Sequence, residues 1–165
     1  MINMHTLVAA ALRQGETTIT LPAEAQDEDL SAIADCIKGA GGITLDLSAT
    51  QITELGSAFK NCTALKEVIL PSTLTSIGDE AFNGCTTLTS VTIPAGVTSI
   101  GRLAFSGCDK LTKIDVAKGS KSYASVDGVL FSKDKATLVC FPAGKGGGVL
   151  RGARWHRDHR RQCVL

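Results

Sequence analysis

The central part of the chain repeats itself every 23 residues. Three residue types recur at this spacing, each in three copies: Phe59, Phe82 and Phe105; Cys62, Cys85 and Cys108; Leu65, Leu88 and Leu111. A fixed period of this length is typical of solenoids, in which each stacked unit buries its apolar face against its neighbours. The period therefore predicts a solenoid, whose function usually lies on an exposed surface.

Each repeat is predicted to contain a strand, a proline that ends it, a short second strand and a turn. The first strands are predicted at 43–47, 65–70, 88–93 and 111–116, and the second strands at 74–77 and 97–100. Pro71 and Pro94 end their strands because proline cannot donate a ladder hydrogen bond. Gly78 and Gly101 are predicted to open a helical turn that carries an Ala-Phe pair into the core. The fold class predicted is an α/β repeat solenoid with parallel strands.

Residues 1–42 carry no copy of the repeat and are predicted to form an N-terminal cap. Apolar residues at helical spacing predict helices over 6–15 and 27–38, and alternation predicts a strand over 17–21. The second helix has an acidic first turn and a single apolar stripe. Because terminal repeats need a cover with a polar outer side, we expect this cap to cover the first repeat.

The period breaks after residue 117. The next segment holds two β-type runs, Val-Asp-Gly-Val-Leu-Phe and Ala-Thr-Leu-Val-Cys-Phe-Pro, separated by a polar turn, which predict a β-hairpin. The organisation predicted is a helical and strand cap (1–42), the repeats (43–117), a β-hairpin insertion (118–143) and a basic tail (144–165).

Composition indicates an aliphatic core and an uneven charge. Hydrophobic residues make up 44% of the chain but aromatic residues only 4%, so Leu, Ile, Val and Ala must fill the repeats. The net charge is +1. Residues 144–165 hold six basic side chains and one acidic side chain, which gives a net charge of +5. Residues 1–143 hold 11 basic and 15 acidic side chains, which gives a net charge of −4. This pattern predicts a mildly acidic body with a basic tail.

The cysteines of the repeats are predicted to be core residues. Cys62, Cys85 and Cys108 share one position of the repeat, so they form a column, and cysteine packs as a small hydrophobe. A disulfide among them is the weaker alternative. The sequence contains no Cys-x-x-Cys pair, which leaves a zinc site of that kind without support.

No stretch reaches the roughly 18 apolar residues that a membrane helix needs, so membrane insertion is not predicted. The short apolar stretch near the start lacks a preceding basic region and makes a poor signal peptide. On this basis the chain is expected to be cytoplasmic, or to be a mature or trimmed product.

The repeats resemble the BspA-like leucine-rich repeats, a family found mainly on bacterial surfaces. The resemblance covers roughly residues 43–142 and rests on two complete copies of the Val-Thr-Ser-Ile-Gly-type signature, each with Ala-Phe-x-Gly-Cys. The Val-Asp-Gly-Val-Leu-Phe run also resembles an insertion common in that family. The resemblance implies a right-handed leucine-rich-repeat solenoid, a cell-surface or secreted location, and adhesion or host-protein binding. It implies no catalytic residues and no cofactor.

The tail contains His156, His159 and Cys163, which are metal-like donors at close spacing. A four-coordinate zinc would still lack a ligand, and the surrounding arginines would repel a cation, so no metal site is predicted. A nucleic-acid arm that uses these arginines and Trp155 is a weak alternative, and nucleic acid is not a predicted partner.

A shift of reading frame near residues 146–149 explains the tail better. Read one base further on, its codons permit the series Pro-Gly-Gly-Ile-Ala-Thr-Ile-Gly-x-Ser-Ala-Phe. In this series the proline, the Ile-Gly pair and the Ala-Phe pair have the same spacing as Pro94, Ile100-Gly101 and Ala104-Phe105 have in the repeat. On this interpretation the tail is disordered, because glycines open it and it has few apolar residues, and the last repeat presents an open edge.

The candidate protein-binding surface is the outer face of the first strands. Side chains alternate across a strand, so two rows point away from the core. The rows are Thr44, Glu67, Ser90 and Lys113, and beside them Asp46, Ile69, Thr92 and Asp115. A plain solvated sheet face is the alternative interpretation.

Two function hypotheses follow from these features. The first is a non-enzymatic protein-binding module, a fragment of an adhesin-like surface protein with an unidentified protein partner. The second is a truncated, frame-damaged repeat fragment with only a structural role and no partner of its own. An enzyme is not predicted, since no paired acid and base or nucleophile set occurs.

Overall fold

The computed structural model describes residues 3–146, which contain two α-helices and ten strands joined by turns and loops. The helices are α1 (Met4–Arg13) and α2 (Leu30–Ile37), and a 3-10 turn (Asp27–Asp29) precedes α2. The strands are β1 (Thr18–Thr20), β2 (Ile43–Asp46), β3 (Leu65–Ile69), β4 (Ser76–Ile77), β5 (Ser90–Ile93), β6 (Ser99–Ile100), β7 (Lys113–Val116), β8 (Tyr123–Val126), β9 (Val129–Ser132) and β10 (Leu138–Cys140).

The strands form three sheets. The longest is a five-stranded parallel sheet of order β1-β2-β3-β5-β7, and β4 and β6 form a second, two-stranded parallel sheet. Apart from β1, the strands of these two parallel sheets come from successive repeats, because every repeat returns to the same side of the stack before the next begins. This arrangement confirms the predicted α/β repeat solenoid with parallel strands.

Three stacked phenylalanine rings occupy the centre of the core. Phe59 and Phe82 have ring centroids 5.7 Å apart, and Phe82 and Phe105 have centroids 5.5 Å apart, with the ring planes within 8° of parallel. All three side chains are buried. The 23-residue spacing therefore places one buried phenylalanine ring in each layer of the solenoid, as predicted.

The repeat cysteines form a buried column beside these rings. Cys62, Cys85 and Cys108 are free thiols, which confirms the prediction of core residues and excludes a disulfide among them. The Cys85 Sγ donates to the carbonyl of Phe59, and the Cys108 Sγ donates to the carbonyl of Phe82, both at 3.1 Å. Burial raises the pKa of Cys85 and raises the pKa of Cys108 to about 12.

We expect these three thiols to resist alkylation in the native protein, because only the thiolate reacts and burial holds the thiols protonated. Of the four free thiols within residues 3–146, Cys36, which is half-buried, should react first. A thiol whose folded pKa lies above its unfolded value of 9.0 adds stability below that pH, and the contribution is lost as pH rises through the folded value. Mass spectrometry after iodoacetamide treatment, with and without denaturant, measures the labelling, and rapid native labelling of all three would contradict this core.

The N-terminal segment extends the sheet as well as covering the first repeat. β1 pairs in parallel with β2, with Thr18 opposite Thr44 and Thr20 opposite Asp46. The apolar stripe of α2 is buried as predicted and consists of Leu30, Ile33, Ala34 and Ile37. The first helix begins earlier than predicted, at Met4, because the Asn3 side chain caps it by accepting from the Thr6 N–H at 3.2 Å. The first three residues of the second predicted helix form the 3-10 turn.

Asp27 substitutes for a missing repeat at the N-terminal end. Its carboxylate accepts from the Thr53 N–H at 2.9 Å and from the Thr53 hydroxyl at 3.0 Å. One repeat later, the Thr53 carbonyl accepts from the Thr75 N–H at 2.9 Å in the same way. The cap therefore satisfies a backbone donor that a preceding repeat would otherwise satisfy.

The turns after Gly78 and Gly101 are not helical, contrary to the prediction. Glu80 and Leu103 occupy the same place in the two turns, and both have a φ of +56°. A residue in this left-handed conformation interrupts a right-handed helix, so each segment folds as a compact turn. The Ala-Phe pairs of both turns still point into the core, as predicted.

The two predicted runs pair as a hairpin across the polar turn, through β9 and β10, and the insertion contains a further strand, β8, which pairs with the other side of β9. The run Val-Asp-Gly-Val-Leu-Phe is divided by a two-residue turn, at which Asp127 has a φ of +50° and Gly128 a φ of +76°. Two positive φ values define the type I′ turn that an Asp-Gly pair favours in hairpins. The dipeptide was visible in the sequence and was mistaken for strand.

The insertion also covers part of the last strand of the long sheet. The Ile114 N–H donates to the Gly128 carbonyl at 2.8 Å, and the Ser125 hydroxyl donates to the Ile114 carbonyl at 2.7 Å. Residues 144–146, assigned from sequence to the tail, remain against the repeats, since the Gly144 N–H donates to the Leu111 carbonyl at 2.8 Å. Residues 147–165, and with them the predictions about the frame-shifted tail, lie outside the described residues.

Candidate functional site

The two predicted rows lie side by side on the outer face of the five-stranded sheet. In the first row Thr44 is opposite Glu67, and Ser90 lies between Glu67 and Lys113. In the second row the strand pairing places Asp46 opposite Ile69 and Thr92 opposite Asp115. The register of the rows is therefore the one predicted from the period.

The cap lengthens both rows by one residue that the sequence analysis missed. Thr18 continues the first row and Thr20 continues the second, and both side chains are exposed. The alternation over 17–21 indicated a strand, but nothing in that segment indicated which strand it would pair with. Each row thus spans five strands.

An apolar side chain stands exposed near the middle of this face. Ile69 is 41% exposed, and its direct neighbour across the sheet is Asp46. In the described part of the chain, Leu103 is the other large hydrophobic residue with comparable exposure, at 40%, and it lies on a turn away from this sheet. The remaining row residues are half-buried or exposed.

The charges of the face are partly neutralised within it. Lys113 and Asp115 lie on the same strand and form an ion pair with an N–O distance of 2.7 Å. The Asp46 carboxylate accepts from the Ser48 N–H at 2.9 Å. Among residues 3–146, neither Asp46 nor Glu67 has a cationic side chain within ion-pair distance, so these carboxylates are available to a partner.

Threonine hydroxyls fasten each repeat to the one before it. The Thr73 hydroxyl donates to the Ile52 carbonyl at 2.7 Å, and the Thr87 hydroxyl donates to the Leu65 carbonyl at 2.9 Å. These bonds join residues about one repeat apart, so they hold neighbouring repeats in fixed register. The face is consequently rigid, which lowers the entropy cost of binding.

The described residues contain no group of three or more His, Cys, Asp or Glu side chains that could hold a metal ion. His156, His159 and Cys163 lie beyond the residues that the structure describes. Within residues 3–146, no helix has the length and hydrophobicity required to span a bilayer.

An open cleft of about 440 Å³ lies between the end of α1 and the loop after α2. Its lining includes Arg13, Glu16, Cys36 and the glycine-rich loop before β2. The Cys36 thiol donates weakly to the His5 carbonyl at 3.7 Å. The sequence analysis did not predict this cleft, because the contact between the two helices of the cap creates it.

Comparison with known proteins identifies one family model and several solved structures that are similar to this chain. A family model described as the BspA type leucine rich repeat region, in 6 copies, matches residues 43–143. The crystal structure of the pneumococcal vaccine antigen PcpA is 28% identical, with a TM-score of 0.56, and the match covers 79% of this chain and 38% of that one. The search of curated proteins returned no match.

A more distant solved structure is a leucine-rich repeat protein from Eubacterium ventriosum, at 22% identity and a TM-score of 0.37, with 79% of this chain and 46% of that chain covered. Another is a leucine rich cell surface protein from Faecalibacterium prausnitzii, at 22% identity and a TM-score of 0.33, with 79% and 55% covered. The chain therefore spans between about two fifths and just over half the length of these relatives.

Proposed function

Because the chain belongs to the BspA-type leucine-rich repeat family, we propose that it is a protein-binding module that presents the outer face of its five-stranded sheet to a protein partner. The observation that carries this proposal is the pair of aligned rows with Ile69 exposed near their middle. The family and the likeness to a vaccine antigen support a cell-surface or secreted location and a role in adhesion. The proposal assigns no catalysis to the chain.

The composition of the face suits a protein partner. Binding energy in protein interfaces is concentrated in a few apolar or aromatic residues near the centre, surrounded by polar residues that exclude water. Ile69 has this central position, and the threonines, serine and carboxylates of the rows surround it. Asp46 and Glu67 add a preference for a partner that carries basic side chains.

Replacement of Ile69 by arginine is expected to weaken partner binding by about tenfold or more, since a central apolar contact is lost and a charge is placed in the interface. The measurement is biolayer interferometry against a panel of purified host extracellular-matrix and plasma proteins. Leu103→Arg is the matched control, because Leu103 is exposed to nearly the same extent on a different surface.

Equal losses for the two variants would place the binding surface elsewhere. Absence of binding to every protein of the panel would favour the second hypothesis, a frame-damaged fragment without a partner. Circular dichroism of both variants checks that the fold is retained.

A further inference from the structure

The charges of the chain are separated along the axis of the solenoid. Residues 1–100 hold 4 basic and 11 acidic side chains, which gives a net charge of −7. Residues 101–146 hold 8 basic and 4 acidic side chains, which gives a net charge of +4. Because the strands of the long sheet stack in chain order, the acidic part forms one end of the solenoid and the basic part forms the other. The tail adds five arginines and one aspartate to the sequence after the basic end.

Four exposed lysines of the insertion form what we call the lysine patch: Lys118, Lys121, Lys133 and Lys135. Two segments contribute them, a loop and a turn, which the pairing of β8 with β9 brings together. The Lys133 N–H donates to the Ser122 carbonyl at 2.9 Å, which places Lys133 beside the loop that carries Lys121. No carboxylate of the described chain lies within ion-pair distance of these four amines.

The one acidic residue in the turn of the patch is already engaged. The Asp134 carboxylate accepts from the Ser132 hydroxyl at 2.5 Å and from the Ala136 N–H at 3.0 Å. These hydrogen bonds hold the pKa of Asp134 below its usual range. The Asp134 carboxylate thus stabilises the turn by these two hydrogen bonds, and the lysines around it are available to an external anion.

The opposite end carries an acidic segment of matching size, residues 24–29. It contains Glu24, Asp27, Glu28 and Asp29 and, like the patch, makes no ion pair within the described residues. Asp27 is fixed by its bonds to Thr53, and Asp29 accepts from the Gln26 N–H at 2.9 Å. Glu24 and Glu28 are exposed and complete an ordered anionic surface.

The backbone adds to the positive character of the basic end. In the turn at 78–84, alternate N–H groups donate to carbonyls of the turn at 101–107, each at 2.8 Å: Glu80 to Arg102, Phe82 to Ala104, and Gly84 to Ser106. Within residues 3–146 the equivalent N–H groups one repeat later have no acceptor: Leu103, Phe105 and Gly107. Aligned, unpaired N–H groups attract anions.

We propose that copies of this chain associate end to end, with the lysine patch of one copy against the acidic segment of the next. The chain itself supplies both complementary surfaces, each with four charges. They lie at opposite ends of a rigid stack, so they cannot neutralise each other within one copy. Such a head-to-tail contact uses a different surface on each copy, and it therefore joins copies in series. Because the charges are exposed, the association is weak and sensitive to salt.

Sedimentation velocity of the full chain tests this proposal. The average mass is expected to rise with protein concentration at about 10 mM salt and to remain monomeric at about 1 M, because the screening length falls from roughly 30 Å to roughly 3 Å. A protein that is monomeric in both conditions overturns the proposal. A monomer that binds immobilised heparin overturns it as well, since the lysine patch would then serve a polyanion.

Charge reversal separates this contact from a general effect of net charge. Reversal of the patch (Lys118, Lys121, Lys133 and Lys135 to Glu) and neutralisation of the segment (Glu24→Lys with Glu28→Lys) are each expected to weaken association about tenfold or more. A mixture of the two variants should form pairs, because the patch variant keeps an intact acidic segment and the segment variant keeps an intact lysine patch. Lys66→Glu, on the middle strand β3, is the control that should leave association unchanged. Failure of the mixture to regain association, or an equal effect of Lys66→Glu, overturns the proposal.

Discussion

Replacement of Phe82 by alanine is expected to lower the free energy of unfolding by about 3–5 kcal/mol, as for other buried phenylalanine truncations. The Phe82 ring is fully buried and stacks on Phe59 at 5.7 Å and on Phe105 at 5.5 Å. Its removal leaves a cavity between two layers, and the neighbouring layers cannot close it without breaking the hydrogen bonds that keep the repeats in register. Denaturant melts followed by circular dichroism measure the change.

Phe105→Ala serves as the comparison for this variant. Its ring has a phenylalanine on one side only, among the described residues, so its truncation should cost less than that of Phe82. A loss below about 1 kcal/mol for Phe82→Ala would show that the ring column does not carry the stability of the stack. A larger loss of unfolding free energy for Phe82→Ala than for Phe105→Ala would support the stabilising role of the ring column, whatever the absolute size of the two losses.

Replacement of Gly101 by alanine is expected to destabilise the protein by about 3 kcal/mol or more, at the upper end of the range for overpacked sites. A Cβ at Gly101 would lie 2.3 Å from the Asp79 nitrogen and 2.5 Å from the carbonyl carbon of Gly78. Both are backbone atoms of the preceding repeat, so the clash can be relieved only by separating the repeats. Thermal and denaturant melts measure the loss.

Gly39→Ala is the matched control, because a Cβ there meets no atom within 4 Å and the backbone is not in the left-handed region. Its effect should stay within about 0.5 kcal/mol, or be slightly stabilising through the unfolded state. Similar effects of the two substitutions would mean that the repeats are not in close backbone contact at Gly101.

The candidate face could be predicted largely from sequence. Thr44, Glu67, Ser90 and Lys113 align because residues one period apart in a solenoid occupy equivalent places. The sequence did not indicate that Lys113 pairs with Asp115, since two residues on one face of a strand can pair with each other or with a partner. It also did not indicate the exposure of Ile69, which depends on what lies over the sheet.

The helical turns were predicted wrongly for a local reason. Glu80 and Leu103 are not residues that favour a positive φ, so nothing in their identity indicates the left-handed conformation. The same φ recurs at both residues because they occupy equivalent places in successive repeats, and the Glu80 N–H donates to the Arg102 carbonyl between the two turns. The place in the repeat thus overrides the propensity of the single residue.

The 23-residue period by itself determined the solenoid, the buried rings and thiols, and the register of the exposed rows, because equal spacing places like residues in equivalent environments in every layer. Only the tertiary structure decided how the two ends are closed. β1 joins the sheet at one end, the Asp27 carboxylate replaces a carbonyl there, and the insertion covers Ile114 at the other end. The residues that make these contacts do not repeat, and their partners are distant in sequence, so no spacing in the chain specifies them.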